Sequence, residues 1–319
     1  MTKTNNILLS VIIPLYNNEK EIARAIDSVL NQTWKEFELI VVNDGSTDNS
    51  ASIVKQYYDH RIKLIQQPNS GPGAARNRGI KEAIGKIVAF LDEDDEWKPE
   101  HLKRAMHVLK ELKNLRWYSA GYERRTKDGK LTRRLVYRRQ LEKGLFIENF
   151  FDAFEKYEFF CTCTIVVKKT VFEHVGFFDE NKLHGEDTEM WIRIALKYPE
   201  MGYSKKIGAV NWVNSESLTM KECILTPEIS LRAIKDIEHL VGQMGKTETQ
   251  MIQPYMRKSL KKLINLSIKE KNWNVLSIIM STYGSILDRR SFIMIKLFRI
   301  IPYWVADYFI RFRRLFIKW

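Results

Sequence analysis

Short apolar runs alternate with amphipathic stretches through the first third of the chain. The pattern predicts strands over Leu8–Pro14, Phe37–Asn43, Ile62–Gln66 and Ile87–Leu91. Between them it predicts helices over Glu19–Leu30, Ser46–Tyr58 and Ala74–Ala83, with a further one over Pro99–Lys113. Strands that alternate with helices make an α/β fold with a parallel, doubly wound sheet. Ligands of such sheets bind beyond the carboxyl ends of the strands. Tyr16, Asp44 and Asp92 each follow an apolar run, so they are expected to meet in one cleft.

From about residue 115 to 215 the pattern is mixed. Trp117–Tyr122 and Leu131–Tyr137 read as a hairpin around Asp128-Gly129, Thr164–Val167 as a strand and Glu186–Leu196 as a helix. After Pro227 the period turns helical: Glu228–Val241, Met251–Lys269 and about 274–287. The expected division is an α/β domain over 1–221 and a helical region over 222–319.

Composition adds three constraints. Hydrophobic residues make up 45% of 319, enough for a packed core. The net charge of +13 suits a polyanionic partner: nucleic acid, an anionic membrane surface or a phosphorylated substrate. The three cysteines are too few for a disulfide framework or a four-ligand zinc site, and a reducing, cytoplasmic setting is expected. Cys161 and Cys163 flank Thr162 on a strand-like run and should share a face. The start, Met1–Asn6, runs into the first strand without a signal-peptide pattern, and no uncharged run reaches the roughly 20 residues of a spanning helix.

Candidate chemistry lies at the predicted strand ends. Phe90-Leu-Asp-Glu-Asp-Asp-Glu-Trp97 puts Asp92, Asp94 and Asp95 where carboxylates suit a hard divalent cation with a diphosphate, although an acidic loop before the helix at Pro99 has the same composition. Pro14-Leu-Tyr-Asn-Asn-Glu19 is a strand-to-helix turn whose amides suit a base or phosphate, or a plain turn. In Asn43-Asp-Gly-Ser-Thr-Asp48, Gly45 permits a tight turn and Ser46 or Thr47 a helix cap. The glycine-rich Asn69-Ser-Gly-Pro-Gly-Ala-Ala-Arg-Asn-Arg-Gly79 is neither a P-loop, lacking Gly-Lys-Ser/Thr, nor a dinucleotide fingerprint, since Arg76 stands at the third glycine. Gly185-Glu-Asp-Thr-Glu-Met-Trp191 begins a helix with acids, either for the helix dipole or for proton transfer.

Taken together, these segments resemble the family 2 glycosyltransferases over about residues 8–220. The resemblance implies a GT-A fold, a Rossmann-like mixed sheet flanked by helices, here with a helical C-terminal extension. It implies inverting transfer of a sugar from a nucleotide diphosphate sugar, with a UDP-sugar as the expected donor, to a hydroxyl acceptor. By motif match, Pro14, Tyr16, Glu19, Asp44, Arg76 and Asp92 fall at the nucleotide. Asp92 and Asp94, with Asp95, fall at a Mn²⁺ or Mg²⁺ ion. Asp187 falls at the base, with Glu186 orienting the acceptor or the base. One stretch departs from the pattern: in Asn211-Trp-Val-Asn-Ser-Glu-Ser-Leu218, Trp212 and Asn214 stand where Arg and His are common.

The basic residues suggest the acceptor side. Arg124, Arg125, Lys127, Lys130, Arg133, Arg134, Arg138 and Arg139 crowd the predicted hairpin, as a solvated face or as a surface for anionic lipid or a diphosphate-linked acceptor. On a helical wheel, Trp304, Val305, Tyr308, Phe309, Phe312, Leu315, Phe316 and Trp319 fall within an arc of about 140°, opposite Asp307, Arg311, Arg314 and Lys318. That pattern suits a helix lying in a membrane interface, or one docked on its own domain. The expectation is a peripheral protein on the inner face of the plasma membrane, with a lipid-linked or cell-surface glycan precursor as acceptor and no nucleic acid. A sugar-phosphate nucleotidyltransferase and a non-enzymatic anionic-surface or nucleic-acid binder remain as alternatives. The first would need a basic phosphate loop near the first strand, where only Lys20 stands.

Overall fold

A computed structural model of the chain describes residues 9–141, 144–182, 185–213, 226–242 and 245–298. They belong to two compact units, Met1–Ser215 and Glu216–Trp319.

The first unit carries the strands. β1 (Leu9–Leu15), β2 (Phe37–Asp44), β3 (Ile62–Gln67) and β4 (Ile87–Phe90) form a parallel block in the order β3-β2-β1-β4. β1 and β2 are buried along their whole length, which explains their unbroken apolar runs. Past β4 the sheet becomes mixed. β9 (Val166–Lys168) is antiparallel to both β4 and β6 (Trp117–Thr126), so β6 runs in the same sense as β4. β10 (Met201–Val213) continues the sheet beside β6. The short strands β5 (Glu96–Trp97) and β8 (Phe146–Ile147) pair with β10. β7 (Leu131–Leu135) pairs with β6 as the expected hairpin, with Gly129 at its turn. The turn therefore projects from the edge of the sheet where β1, β2 and β4 end.

The helices are α1 (Ile22–Leu30), α2 (Ser50–Lys55), α3 (Gly71–Glu82), α4 (His101–Glu111), α5 (Phe150–Lys156), α6 (Thr170–Val175) and α7 (Glu186–Lys197). Two of them differ instructively from the sequence pattern. α2 begins at Ser50 rather than Ser46, because the residues before it are tied to the turn after β1. Asn17 N donates to Ser46 Oγ (3.0 Å), Thr47 N to Asn17 Oδ1 (2.8 Å) and Glu19 N to Asp48 Oδ2 (3.0 Å). α3 begins at Gly71 rather than Ala74. Pro72 suits the first turn, where its missing N–H costs nothing, and Asp44 satisfies the free amides of Ser70 and Gly71. α3 packs closely on β1: a Cβ at Gly79 would lie 2.5 Å from Ile12 Cγ2.

Residues Thr162–Thr164 form a 3₁₀ turn, correcting the strand-like reading of Cys161–Cys163. Thr164 Oγ1 donates to Cys161 O (2.9 Å) and closes the turn, and Cys161 and Cys163 are disulfide-bonded across it. The second unit is helical in its described residues: α8 (Pro227–Gly242), α9 (Lys246–Met251), α10 (Gln253–Lys269), α11 (Trp273–Tyr283) and α12 (Arg289–Phe298). The helix expected over Met251–Lys269 is present and starts two residues later, at Gln253, because Pro254 suits its first turn; Met251 ends the helix before it. Among the described residues no helix is long and apolar enough to cross a membrane. The aromatic and basic tail from Trp304 onward lies outside them.

The contact at Gly79 gives a direct stability test. Gly79→Ala should cost about 1–3 kcal/mol in urea unfolding, as overpacking does. Ile12→Ala removes the atoms in the way, so the double variant should lose less than the sum of the two single losses. Strict additivity would mean that α3 does not rest on Ile12.

Candidate functional site

Three parallel strands deliver acidic residues to one edge. Pro14 lies one residue before the end of β1, opposite Val42 of β2, and Tyr16 follows the strand, half-buried. Glu19 helps hold the adjoining loop, its Oε2 accepting from Asn49 N (2.9 Å). Asp44 ends β2 and is 3% exposed. Its Oδ1 accepts from Gln67 Nε2 (2.7 Å) and Ser70 N (2.9 Å), and its Oδ2 from Gly71 N (2.8 Å). The carboxylate therefore serves as the N-terminal cap of α3, where the helix dipole favours negative charge.

Asp92, Asp94 and Asp95 follow β4, and the structure gives them three different surroundings. Asp92 Oδ1 accepts from Arg76 Nη2 (2.7 Å). Asp95 is buried and holds β10, accepting from Asn211 Nδ2 (3.1 and 3.2 Å) and Trp212 N (3.1 Å). Asp94 is held through its backbone, its carbonyl accepting from Arg24 Nη2 (2.6 Å). Arg24 in turn stacks over the Trp212 ring at 4.7 Å. Trp212 thus braces the acidic loop through Arg24 and Asp95, and Asn214 lies outside the described residues.

The second acidic group arrives on α7. Gly185, in the left-handed region (φ 76°), turns the chain into the helix, and Glu186, Asp187 and Glu189 occupy its first turn. Gly73 of α3 makes room for them: a Cβ there would stand 3.3 Å from Glu186 Cγ and 3.2 Å from Asp179 O. Asn77, also on α3, fastens the preceding loop. Its Nδ2 donates to Phe178 O (2.9 Å) and its Oδ1 accepts from Phe178 N (2.9 Å).

Arg76 joins the two acidic groups. It is buried at 5% exposure, with Nη2 on Asp92 and Nη1 on Glu186 Oε1 (2.8 Å). Burial alone would lower the guanidinium's pKa, but Asp92, Glu186 and Asp187 together more than reverse that and raise it. The resemblance placed Arg76 at the nucleotide; here both of its terminal nitrogens are engaged by carboxylates. Glu186 is raised by burial and by Asp187, with Arg76 opposing. Asp187 stands beside this pair, its Oδ2 accepting from Thr162 Oγ1 (2.7 Å).

The residues that could hold a divalent cation are Asp92 and Asp94. Burial, then the charge of Asp92, pushes the Asp94 carboxyl up to about 6, a repulsion that a cation would relieve. Among the described residues no group of three or more His, Cys, Asp or Glu side chains is arranged to hold a metal. Magnesium-type sites commonly take one or two carboxylates and complete their shell with water and substrate phosphates, so this donor set fits. Asp95 fits less well, since its oxygens are engaged by β10. Thr162, Asn77, Arg24 and the bridging role of Arg76 are not evident in the sequence; Asn77 alone had a signal, as the neighbour of Arg76 in Ala-Ala-Arg-Asn.

Comparison with known proteins identifies the family. The glycosyl transferase family 2 model matches residues 10–176. An uncharacterized glycosyltransferase of Rickettsia conorii is 37% identical over 209 residues, 65% of this chain and 33% of that protein. The uncharacterized glycosyltransferase YibD of Escherichia coli K12 is 47% identical over 114 residues, 35% of this chain and 32% of its own length. The alignments thus span about a third of these relatives. S. aureus TarS, in a crystal structure with UDP-GlcNAc, is similar in fold, with a TM-score of 0.64 and 23% identity over 79% of this chain and 71% of that one.

The acidic loop should leave a mark on stability. Burial, then the neighbouring carboxylates, raises Glu93 and Asp95 in the same direction as Asp94. The folded state then holds these protons more tightly than the unfolded chain does. In metal-free buffer, stability should therefore fall as pH rises from about 4 through 6 and beyond. Asp94→Asn should remove part of that slope, on the order of 1–3 kcal/mol in urea titrations at each end of the range. An unchanged slope would contradict the assignment.

Proposed function

The chain belongs to glycosyl transferase family 2, and we propose that it moves a sugar from a nucleotide diphosphate sugar to a hydroxyl acceptor with inversion at the sugar carbon. One observation carries the reading: Arg76 ties Asp92, at the end of β4, to Glu186, at the start of α7, and so brings two acidic groups distant in sequence to one place beside Asp187. Direct displacement needs a group near the leaving diphosphate and another that removes the acceptor's proton.

In this reading Asp187 takes the hydroxyl proton as the acceptor oxygen bonds to the sugar carbon. The bond from that carbon to the diphosphate oxygen breaks on the opposite face. Glu186 and Asp92 share the Arg76 charge, which leaves Asp187 as a carboxylate not paired to it by a hydrogen bond. Asp92 and Asp94 would hold Mn²⁺ or Mg²⁺, which when bound neutralises charge on the departing diphosphate. The nucleobase end belongs near Tyr16 and Asp44. A base N–H would share Asp44 Oδ2, which takes a hydrogen bond from Gly71 N. A UDP-linked donor is favoured by the likeness in fold to TarS, whose structure includes UDP-GlcNAc.

A basic cavity beside β7 would suit an anionic acceptor. Arg133, Arg134, Arg138, Lys156, Tyr157 and Glu158 line a cavity of about 420 Å³. Arg133 and Arg134 are partly neutralised, by Glu158 (2.8 Å) and Glu123 (2.6 Å). We take the acceptor to be a lipid-linked or cell-surface glycan precursor, met at the inner face of the membrane by a peripheral protein.

The test is transfer or donor hydrolysis across UDP-, GDP- and dTDP-sugars with Mn²⁺, Mg²⁺ or EDTA and a membrane-lipid extract. One donor should turn over, with metal. Asp187→Asn should abolish transfer while nucleotide affinity stays within about twofold, and Asp94→Ala should weaken metal-dependent nucleotide binding. Full transfer by Asp187→Asn would remove the base, and no metal-dependent turnover of any donor would remove the reading.

A further inference from the structure

The described partners of Asp187 are few and directional. Its Oδ1 accepts from Thr188 N (2.6 Å) and Thr188 Oγ1 (3.3 Å), both of the adjacent residue, and its Oδ2 from Thr162 Oγ1 (2.7 Å). Thr162 Oγ1 also receives the indole N–H of Trp191 (3.1 Å). An indole nitrogen only donates, so the single hydroxyl proton of Thr162 is left for Asp187. The chain of hydrogen bonds therefore runs one way, from Trp191 through Thr162 to Asp187. Trp191 lies one turn beyond Asp187 on α7, so Thr162 is held between two residues of one helix.

The mount of Thr162 is rigid. It is 7% exposed, in the 3₁₀ turn that Thr164 closes. Thr164 Oγ1 is also 2.7 Å from Ser119 Oγ on β6, and Ile165 O accepts from Phe90 N at the end of β4 (3.2 Å). The Trp191 ring is fixed in turn by Phe90 and Phe178, each with its centroid 5.6 Å away. The cation that attracts Asp187, Arg76, is nearby and engaged by Asp92 and Glu186. A carboxylate without a second tether would be drawn toward that guanidinium and away from an acceptor.

We propose that Thr162 is a positioning residue for proton transfer: its hydroxyl, oriented by Trp191, fixes the Asp187 carboxylate so that it faces the acceptor hydroxyl rather than Arg76. The inference rests on Asp187 being the base. It goes beyond that reading in naming a hydroxyl of the 3₁₀ turn before β9 as the group that holds the base in place.

The test compares the full chain with Thr162→Val, Thr162→Ser, Trp191→Phe and Asp187→Asn, using the donor and acceptor extract that support wild-type turnover. Thr162→Val keeps the shape and removes the hydroxyl. It should lower kcat by about tenfold or more with the donor KM within about twofold, since it misplaces the base without touching the donor. Thr162→Ser restores the hydroxyl and should recover most of kcat. Trp191→Phe releases the hydroxyl without deleting it and should lie between. Should Thr162→Val fail to fold, Trp191→Phe and Thr162→Ser still decide. Near-wild-type kcat in Thr162→Val or in Trp191→Phe, or no recovery with serine, overturns the inference while an inactive Asp187→Asn leaves the base standing. Activity in Asp187→Asn overturns both.

Discussion

A buried guanidinium is tolerable only when carboxylates meet its charge, and Arg76 imposes that condition on the carboxyl edge of the sheet. It is one of the least exposed charged residues among those described, and its partners come from two distant places in the chain. Losing either partner would leave part of a buried charge unmet, which typically costs several kcal/mol. The loop after β4 and the start of α7 are thereby held at a fixed distance from α3. Whatever binds between them meets two acidic groups whose spacing is set before it arrives.

The rest of the first unit keeps α3 in place. Gly79 lets it approach Ile12 of β1, and Gly73 lets Glu186 approach it from the other side. Asp44 caps its start, so a residue at the end of β2 is engaged in orienting the helix that carries Arg76. On the far side of the acidic loop, Asp95 anchors β10, and Arg24 holds the Asp94 carbonyl. Polar groups here do the work that apolar packing does in the core, and their buried positions make each hydrogen bond expensive to lose.

Much of this was legible in the sequence. β1, β2 and β4 are buried on both faces and so appear as continuous apolar runs, and the acids after β4 and at the head of α7 stand out in composition. The GT-A fold inferred from the motifs agrees with the mixed sheet. What escaped the reading depends on partners remote in sequence. The loop before α2 becomes a loop because Asn17 and Glu19 claim its polar groups. Cys161–Cys163 becomes a 3₁₀ turn because Thr164 reaches back to Cys161. Thr162 has no neighbour in the chain that marks it, and its meaning comes from Trp191 and Asp187. Arg76 was singled out, yet its two carboxylate partners could be known only from the folded chain.

The central claim is that one cation couples the two acidic groups, and a double-mutant cycle on stability tests it most directly. Asp92→Asn and Glu186→Gln would be made singly and together and unfolded in urea at neutral pH without metal. Each single variant leaves Arg76 one hydrogen-bonded carboxylate, and the double variant leaves it only the nearby charge of Asp187. The account predicts that the double loss exceeds the sum of the single losses by about 1 kcal/mol or more, whereas additivity within about 0.5 kcal/mol would show that the two sites are held independently and contradict it.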